Sequence, residues 1–131
     1  MLTSAPPQQS TVIRVLLVED NEGDALLARE ALAGDGSCQF LVRHAGRLEH
    51  ALQRLAVEEL DAVLLDLGLP DGAGLETLDR IQKTAPGIPV VVLTGLADEQ
   101  AAVAALHRGA QEYVVKGQID GGLLERTIRH A

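Results

Sequence analysis

Short apolar runs that end in polar residues constrain this chain more than any other feature. Residues 12–18, mostly β-branched or leucine, stop at Glu19-Asp20; residues 62–65 stop at Asp66; residues 88–93 stop at Thr94-Gly95; residues 112–115 stop at Lys116-Gly117. Runs of this length and composition read as buried strands. A less apolar run, residues 39–45, reads as a further strand suited to a sheet edge. Helical spacing fills the intervals. Ala25, Ala28 and Leu32 share a face over residues 24–33, which Gly34-Asp35-Gly36 stops; Leu48, Ala51, Leu52 and Leu55 share one over 47–57; Leu75, Leu78 and Ile81 mark a third helix ending before Pro86. An Ala-rich helix over 97–108 is stopped by Gly109, and Asp120 can cap a last helix running almost to Ala131. Five strands alternating with five helices predict an α/β fold: right-handed crossovers around a parallel sheet with helices on both faces.

The 131 residues suffice for one domain, and with only 2% aromatic residues its core must be built from Ala, Val, Leu and Ile. A net charge of −8 argues against direct binding to nucleic acid or an anionic membrane, and it suits a cation site. Cys38 is the only cysteine, so no internal disulfide can form, and a packing role is expected for it. Residues 1–11 are expected to be a disordered arm, rich in Pro, Gln and Ser and without the basic start of a signal peptide, ahead of a domain at 12–131. No stretch is apolar enough to span a membrane, and a cytoplasmic location is expected.

In an open parallel sheet the carboxyl ends of the strands share one edge, and ligands bind there. Glu19, Asp20, Asp66, Thr94 and Lys116 are therefore expected to converge. Three carboxylates held together repel one another, and a divalent cation relieves the repulsion; oxygen ligands favour Mg²⁺ or a similar ion. A lysine and a threonine hydroxyl complete a phosphate-binding set, and Gly95 leaves room for close approach. A carboxylate beside a metal and a lysine is a competent nucleophile towards phosphorus. Taken singly, each residue has a plainer reading: Glu19-Asp20 a helix cap, Asp66 a turn residue before Pro70, Thr94 a strand-end hydroxyl, Lys116 a solvated surface charge. Their joint placement at strand ends is what favours a site. Asp71 is expected to be a solvated turn residue, and His44, His50, His107 and His130, which share no metal-ligand spacing, surface or rim residues.

The sequence resembles the receiver domains of two-component response regulators over roughly residues 13–130. The resemblance rests on Val-Glu-Asp-Asn at 18–21, Leu-Leu-Asp-Leu-Gly-Leu-Pro-Asp-Gly at 64–72, Val-Leu-Thr-Gly at 92–95 and Tyr-Val-Val-Lys at 113–116. Each motif alone is weak; all four in order are specific. The resemblance implies a doubly wound, flavodoxin-like sheet of strand order 2-1-3-4-5. It implies Asp66 as phosphoacceptor; Mg²⁺, or Mn²⁺, held by Asp20, Asp66 and the backbone carbonyl of Gly68, with Glu19 acting largely through water; and Lys116 on a phosphoryl oxygen. Thr94 and Tyr113 would be the switch residues, reshaping the surface of the fourth helix, fifth strand and fifth helix, where an effector or a second copy docks. The donor would be a phosphohistidine on a sensor histidine kinase or a histidine phosphotransfer protein. The output would be a downstream effector or a fused output domain. The domain would not be an enzyme beyond self-phosphorylation from small donors and self-dephosphorylation.

The chain departs from the family pattern at three places. Gly117 stands where many receivers carry proline after the lysine, often in a cis bond; a cis bond to a non-proline costs ~3 kcal/mol, so a trans or more mobile loop is expected. Gly68 and Leu96, each two residues beyond a site residue, offer no polar side chain to orient an attacking water, which predicts slow loss of a phosphoryl group. Three other classes are weaker. A haloacid-dehalogenase-type phosphotransferase or phosphatase wants a carboxylate at position 68. A pseudo-receiver acting without phosphorylation would lack one of the key residues, and none is missing. A flavin binder wants a Ser/Thr/Gly-rich loop where Glu19-Asp20 stands.

Overall fold

The computed structural model describes residues 11–33, 38–72, 74–95 and 99–129. Strands and helices alternate: β1 Thr11–Val18, α1 Glu22–Leu32, β2 Cys38–Ala45, α2 Leu48–Val57, β3 Ala62–Asp66, α3 Leu75–Thr84, β4 Val90–Thr94, α4 Glu99–His107, β5 Glu112–Val115 and α5 Gly121–Arg129. Every ladder is parallel, and the sheet runs β2-β1-β3-β4-β5. This is the expected doubly wound, flavodoxin-like order, with β2 at an edge. Residues 1–10, the proposed helix stop at 34–36, Leu96 and His130 lie outside the described residues, as does the side chain of Cys38.

Strand side chains alternate between two cores because successive residues point to opposite faces. Leu16, Val18, Val63, Leu65, Val90 and Val92 pack against Leu48 and Ala51 of α2, Leu78 and Ile81 of α3, and Ala105 of α4. Ile13, Val15, Leu17, Leu64, Val91 and Leu93 pack against Ala25, Ala28 and Leu32 of α1 and Leu124 of α5. β3 and β4 are buried along their whole length, which is why they read as unbroken apolar runs.

Element ends differ from the sequence reading by a residue or two, each for a local reason. α1 starts at Glu22 because Asn21 caps it, its Oδ1 accepting from Asp24 N at 2.9 Å. The fourth strand starts at Val90 rather than residue 88, since Ile88 N donates to Ala85 O at 3.2 Å in the preceding turn. Asp120 does cap α5, its Oδ1 accepting from Leu123 N at 3.1 Å.

Among the described residues no peptide bond is cis, so the Lys116–Gly117 bond is trans. Gly117 has φ +87°, a value closed to proline and costly for any residue with a Cβ. A Cβ there would meet nothing within 4 Å, so the cost of adding one is conformational only. Gly117→Ala is expected to lower stability by about 1 kcal/mol, read as a lower midpoint in urea with unchanged slope; an unchanged midpoint would mean that the turn relaxes.

Candidate functional site: a carboxylate cluster at the strand ends

The register brings the polar strand ends together. Val18 is opposite Leu65 across β1 and β3, so Glu19 and Asp66 follow side by side. Asp66 pairs with Leu93, and Thr94 with Val115, whose next residue is Lys116. Two bonds continue the ladders past the strands: Glu19 N donates to Ala45 O at 3.0 Å, and Lys116 N to Thr94 O at 2.7 Å.

Carboxylate oxygens of Glu19, Asp20 and Asp66 lie within 4.8 Å of one another, close enough to ligate a single metal ion. The three differ in setting. Asp20 is exposed, Asp66 is nearly covered, and Glu19 is 0% exposed. Lys116 Nζ reaches all but Asp20: it stands 3.0 Å from Glu19 Oε1, 3.3 Å from Asp66 Oδ2 and 3.0 Å from Asp24 Oδ2. Its contact with the buried Glu19 Oε1 is an ion pair. The other oxygen, Oε2, accepts from Asn21 N at 3.2 Å.

Burial pushes the Glu19 carboxyl up to about 7; Lys116 opposes the push and Asp66 adds to it. Burial alone would lower the Lys116 pKa, but its contacts with Glu19 and Asp24 and the charge of Asp66 hold it above the ordinary lysine range. The lysine thus stays charged while the Glu19 carboxyl titrates around neutral pH. A buried carboxylate oxygen ion-paired to Lys116, beside two further carboxylates, is a donor set that a small divalent cation satisfies.

The remaining expected residues lie around this cluster. Thr94 is buried at the end of β4. Gly68 N donates to Asp66 Oδ1 at 3.0 Å, and a Cβ on Gly68 would sit 3.6 Å from that oxygen. Tyr113 stands apart: half-buried on β5, it packs with the core under α2, α3 and α4.

Three residues have roles that the sequence reading did not give them. Asp24, read only as a helix start, is an ion-pair partner of Lys116. Its position in the first turn after a strand end was the available signal, because helical side chains lean back towards the N-terminus. Asp71 is no solvated turn residue. It caps α2 from the loop after β3, accepting from Leu48 N at 2.7 Å and Glu49 N at 3.1 Å, and these bonds hold its carboxyl below the usual range. His44 is half-buried, with Nε2 2.7 Å from the backbone oxygen of Glu19.

The cluster lies at the carboxyl ends of the strands. A groove of about 560 Å³ lined by Arg14, Leu41, Arg43 and Glu58–Leu60 involves none of these residues. Among the described residues no helix is long and apolar enough to cross a membrane.

A family model for the response regulator receiver domain matches residues 15–128. The chain is 36% identical over 121 residues to the KDP operon transcriptional regulatory protein KdpE of Escherichia coli (strain K12), covering 89% of this chain and 52% of that protein. It is 34% identical over 120 residues to the DNA-binding transcriptional regulator NtrC of the same organism, covering 88% of this chain and 25% of that protein. It thus spans about half of one relative and a quarter of the other. Among solved structures, NtrX from Brucella abortus superposes with a TM-score of 0.79 at 27% identity, over 92% of this chain and 27% of that one. A CheY-like response regulator receiver domain protein from Methanospirillum hungatei JF-1 gives 0.73 at 27% identity, over 92% and 93% of the two chains.

Proposed function

The chain belongs to the response regulator receiver domain family of two-component systems, and on that premise we propose that it is a phosphorylation-dependent switch with Asp66 as the acceptor. The observation that carries this reading is the company Asp66 keeps: Lys116 Nζ at 3.3 Å, and Glu19 and Asp20 oxygens within 4.8 Å. Asp20, Asp66 and the Gly68 carbonyl would hold Mg²⁺, or Mn²⁺, with Glu19 behind them. When bound, the ion offsets the carboxylate charge and draws density from the phosphoryl oxygens.

In the proposed reaction an Asp66 carboxylate oxygen attacks phosphorus as the bond from phosphorus to the donor breaks. The donor is a phosphohistidine on a sensor histidine kinase or histidine phosphotransfer protein, and the departing imidazole keeps the electron pair of the broken bond and takes a proton from water. Lys116 then leaves its present partners in part to meet a phosphoryl oxygen. The Thr94 hydroxyl donates to another, and Tyr113 moves into the space so vacated. The surface of α4, β5 and α5 changes with it, and a downstream effector, a fused output domain or a second copy reads the change. The setting is the cytoplasm, and the domain includes Thr11, the first residue of β1, one residue earlier than the start at 12 expected from the sequence. Gly68 offers no side chain to guide water to the acyl phosphate, so hydrolysis is slow; Leu96, the other residue behind that expectation, lies outside the described residues.

The test is intact mass after incubation with acetyl phosphate and Mg²⁺. One phosphoryl group is expected on the wild type, and none on Asp66→Asn or in EDTA. After donor removal the added mass is expected to persist for minutes or longer. Equal addition to Asp66→Asn would overturn the acceptor, and decay within seconds would overturn the slow-hydrolysis reading. No addition with a small donor or a kinase would favour an interaction module that works without phosphorylation.

A further inference from the structure

β2 and β1 form a regular parallel ladder from Thr11↔Cys38 to Val18↔Ala45. In such a ladder one residue's N–H and C=O both bond to the neighbouring strand, to positions two residues apart. Glu19 makes the first of these bonds, N to Ala45 O at 3.0 Å. The second, from residue 47 to Glu19 O, would need β2 to continue. It does not: β2 ends at Ala45, and Arg47 is already the extended cap of α2. Glu19 O would be left unpaired at the point where the chain delivers its two adjacent acidic side chains.

His44 fills the gap. Its Nε2 lies 2.7 Å from Glu19 O. A carbonyl oxygen only accepts, so Nε2 carries the hydrogen, and it does so in the neutral Nε2–H tautomer and in the imidazolium alike. The bond therefore does not depend on the charge of the ring. The oxygen it holds belongs to the peptide joining Glu19 to Asp20. Fixing that peptide plane fixes the directions in which the two side chains leave the backbone. Asn21 N to Glu19 Oε2, at 3.2 Å, anchors the next peptide in the same turn.

We propose that His44 is a positioning residue for metal binding: its imidazole replaces the missing ladder donor and sets the Glu19–Asp20 peptide so that both carboxylates face Asp66. This rests on the reading of the cluster as a divalent-cation site and adds a residue from the edge strand, which touches neither metal nor phosphoryl group. The groove beside it, lined by Glu22, Ala25, Leu26, Arg29 and His44, leaves the ring partly open towards α1, so replacement does not require repacking the core.

The experiment is Mg²⁺ titration by calorimetry on the full chain, with His44→Leu, which keeps apolar bulk without a donor, and His44→Gln, which restores an N–H donor. His44→Leu is expected to raise the Mg²⁺ Kd about tenfold, the usual scale for removing a group that orients a ligand. His44→Gln is expected to stay within about threefold of wild type. Phosphorylation by acetyl phosphate should need correspondingly more Mg²⁺ for half-maximal rate in His44→Leu, with the rate at saturating Mg²⁺ little changed. A purely structural role would lower the thermal midpoint of His44→Leu and leave the Kd where it was, and that result overturns the proposal. If His44→Leu does not fold, the same comparison is made with His44→Ala. If the wild type itself fails to bind Mg²⁺ while Asp20→Asn behaves identically, the cluster reading falls and this inference with it. A wild type that binds, beside a His44→Leu variant that binds as well, overturns the inference alone.

Discussion

Lys116→Met is expected to cost the metal-free protein about 3 kcal/mol of folding stability, the scale for removing one partner from a buried charge cluster. Lys116 is the cation shared by Glu19, Asp24 and Asp66, and the Glu19 side chain has no exposure to solvent through which to shed its charge. Methionine fills the space of the lysine stem, so the loss reports charge rather than packing. Against a total of roughly 5–15 kcal/mol for a domain of this kind, the change is large enough to read in a urea melt at pH 8 in EDTA. Two rescues follow. Glu19→Gln in the Lys116→Met background should recover much of the loss, because it removes the carboxylate that burial penalises most. Millimolar Mg²⁺ should do the same by replacing one counter-charge with another. An unchanged midpoint for Lys116→Met in EDTA would mean that the carboxylates are already neutralised by protons, and the electrostatic account of the cluster would fail.

The second large effect is a dependence of stability on pH that runs against the usual carboxylate trend. Glu19 titrates near 7 in the folded chain, against 4.5 for an ordinary glutamate. Between those values the folded chain holds a proton that the unfolded chain has lost. Stability therefore falls as pH rises from about 5 to 7, by roughly 2 kcal/mol on the linkage relation. Asp71 works in the opposite sense, since its pKa is lowered below 3.8 in the folded state; its contribution is complete at the acid end of this window. Lys116 has a raised pKa, so its contribution is present throughout the window and is lost only at strongly alkaline pH. Thermal midpoints at pH 5, 6 and 7 in EDTA should decline in that order, and Mg²⁺ should flatten the series by stabilising the Glu19 carboxylate. A midpoint that rises from pH 5 to 7 without metal would sink the claim. Glu19→Gln should also abolish the slope, which assigns it to this residue.

The strands, the helices and their order were legible because each rests on local periodicity. Burial of β3 and β4 on both faces wrote them as continuous apolar runs, and the breaks after Asp66 and Thr94 are sharp changes of polarity. The convergence of Glu19, Asp20, Asp66 and Lys116 followed from one rule of parallel sheets and needed no side-chain detail. Element ends were less legible where a turn borrows strand-like residues, as at Ile88 and Pro89.

Other assignments depended on contacts between distant parts of the chain. Asp24 meets Lys116 across 92 residues, Asp71 caps Leu48 across 23, and His44 meets Glu19 across 25. In sequence, an aspartate near a turn looks the same whether it caps its own helix, caps another or faces water. A histidine in an edge strand looks the same whether its ring is free or bonded. Which partner each finds depends on strand register and on how far β2 extends before it turns into α2. Glu19 adds a further case. The sequence by itself determined that an acidic pair stands at the end of the first strand, because polarity at a strand end is a local property. Only the tertiary structure decided that Glu19 is sealed from water while Asp20 stays exposed, because burial is set by what the other strands and helices lay over each side chain.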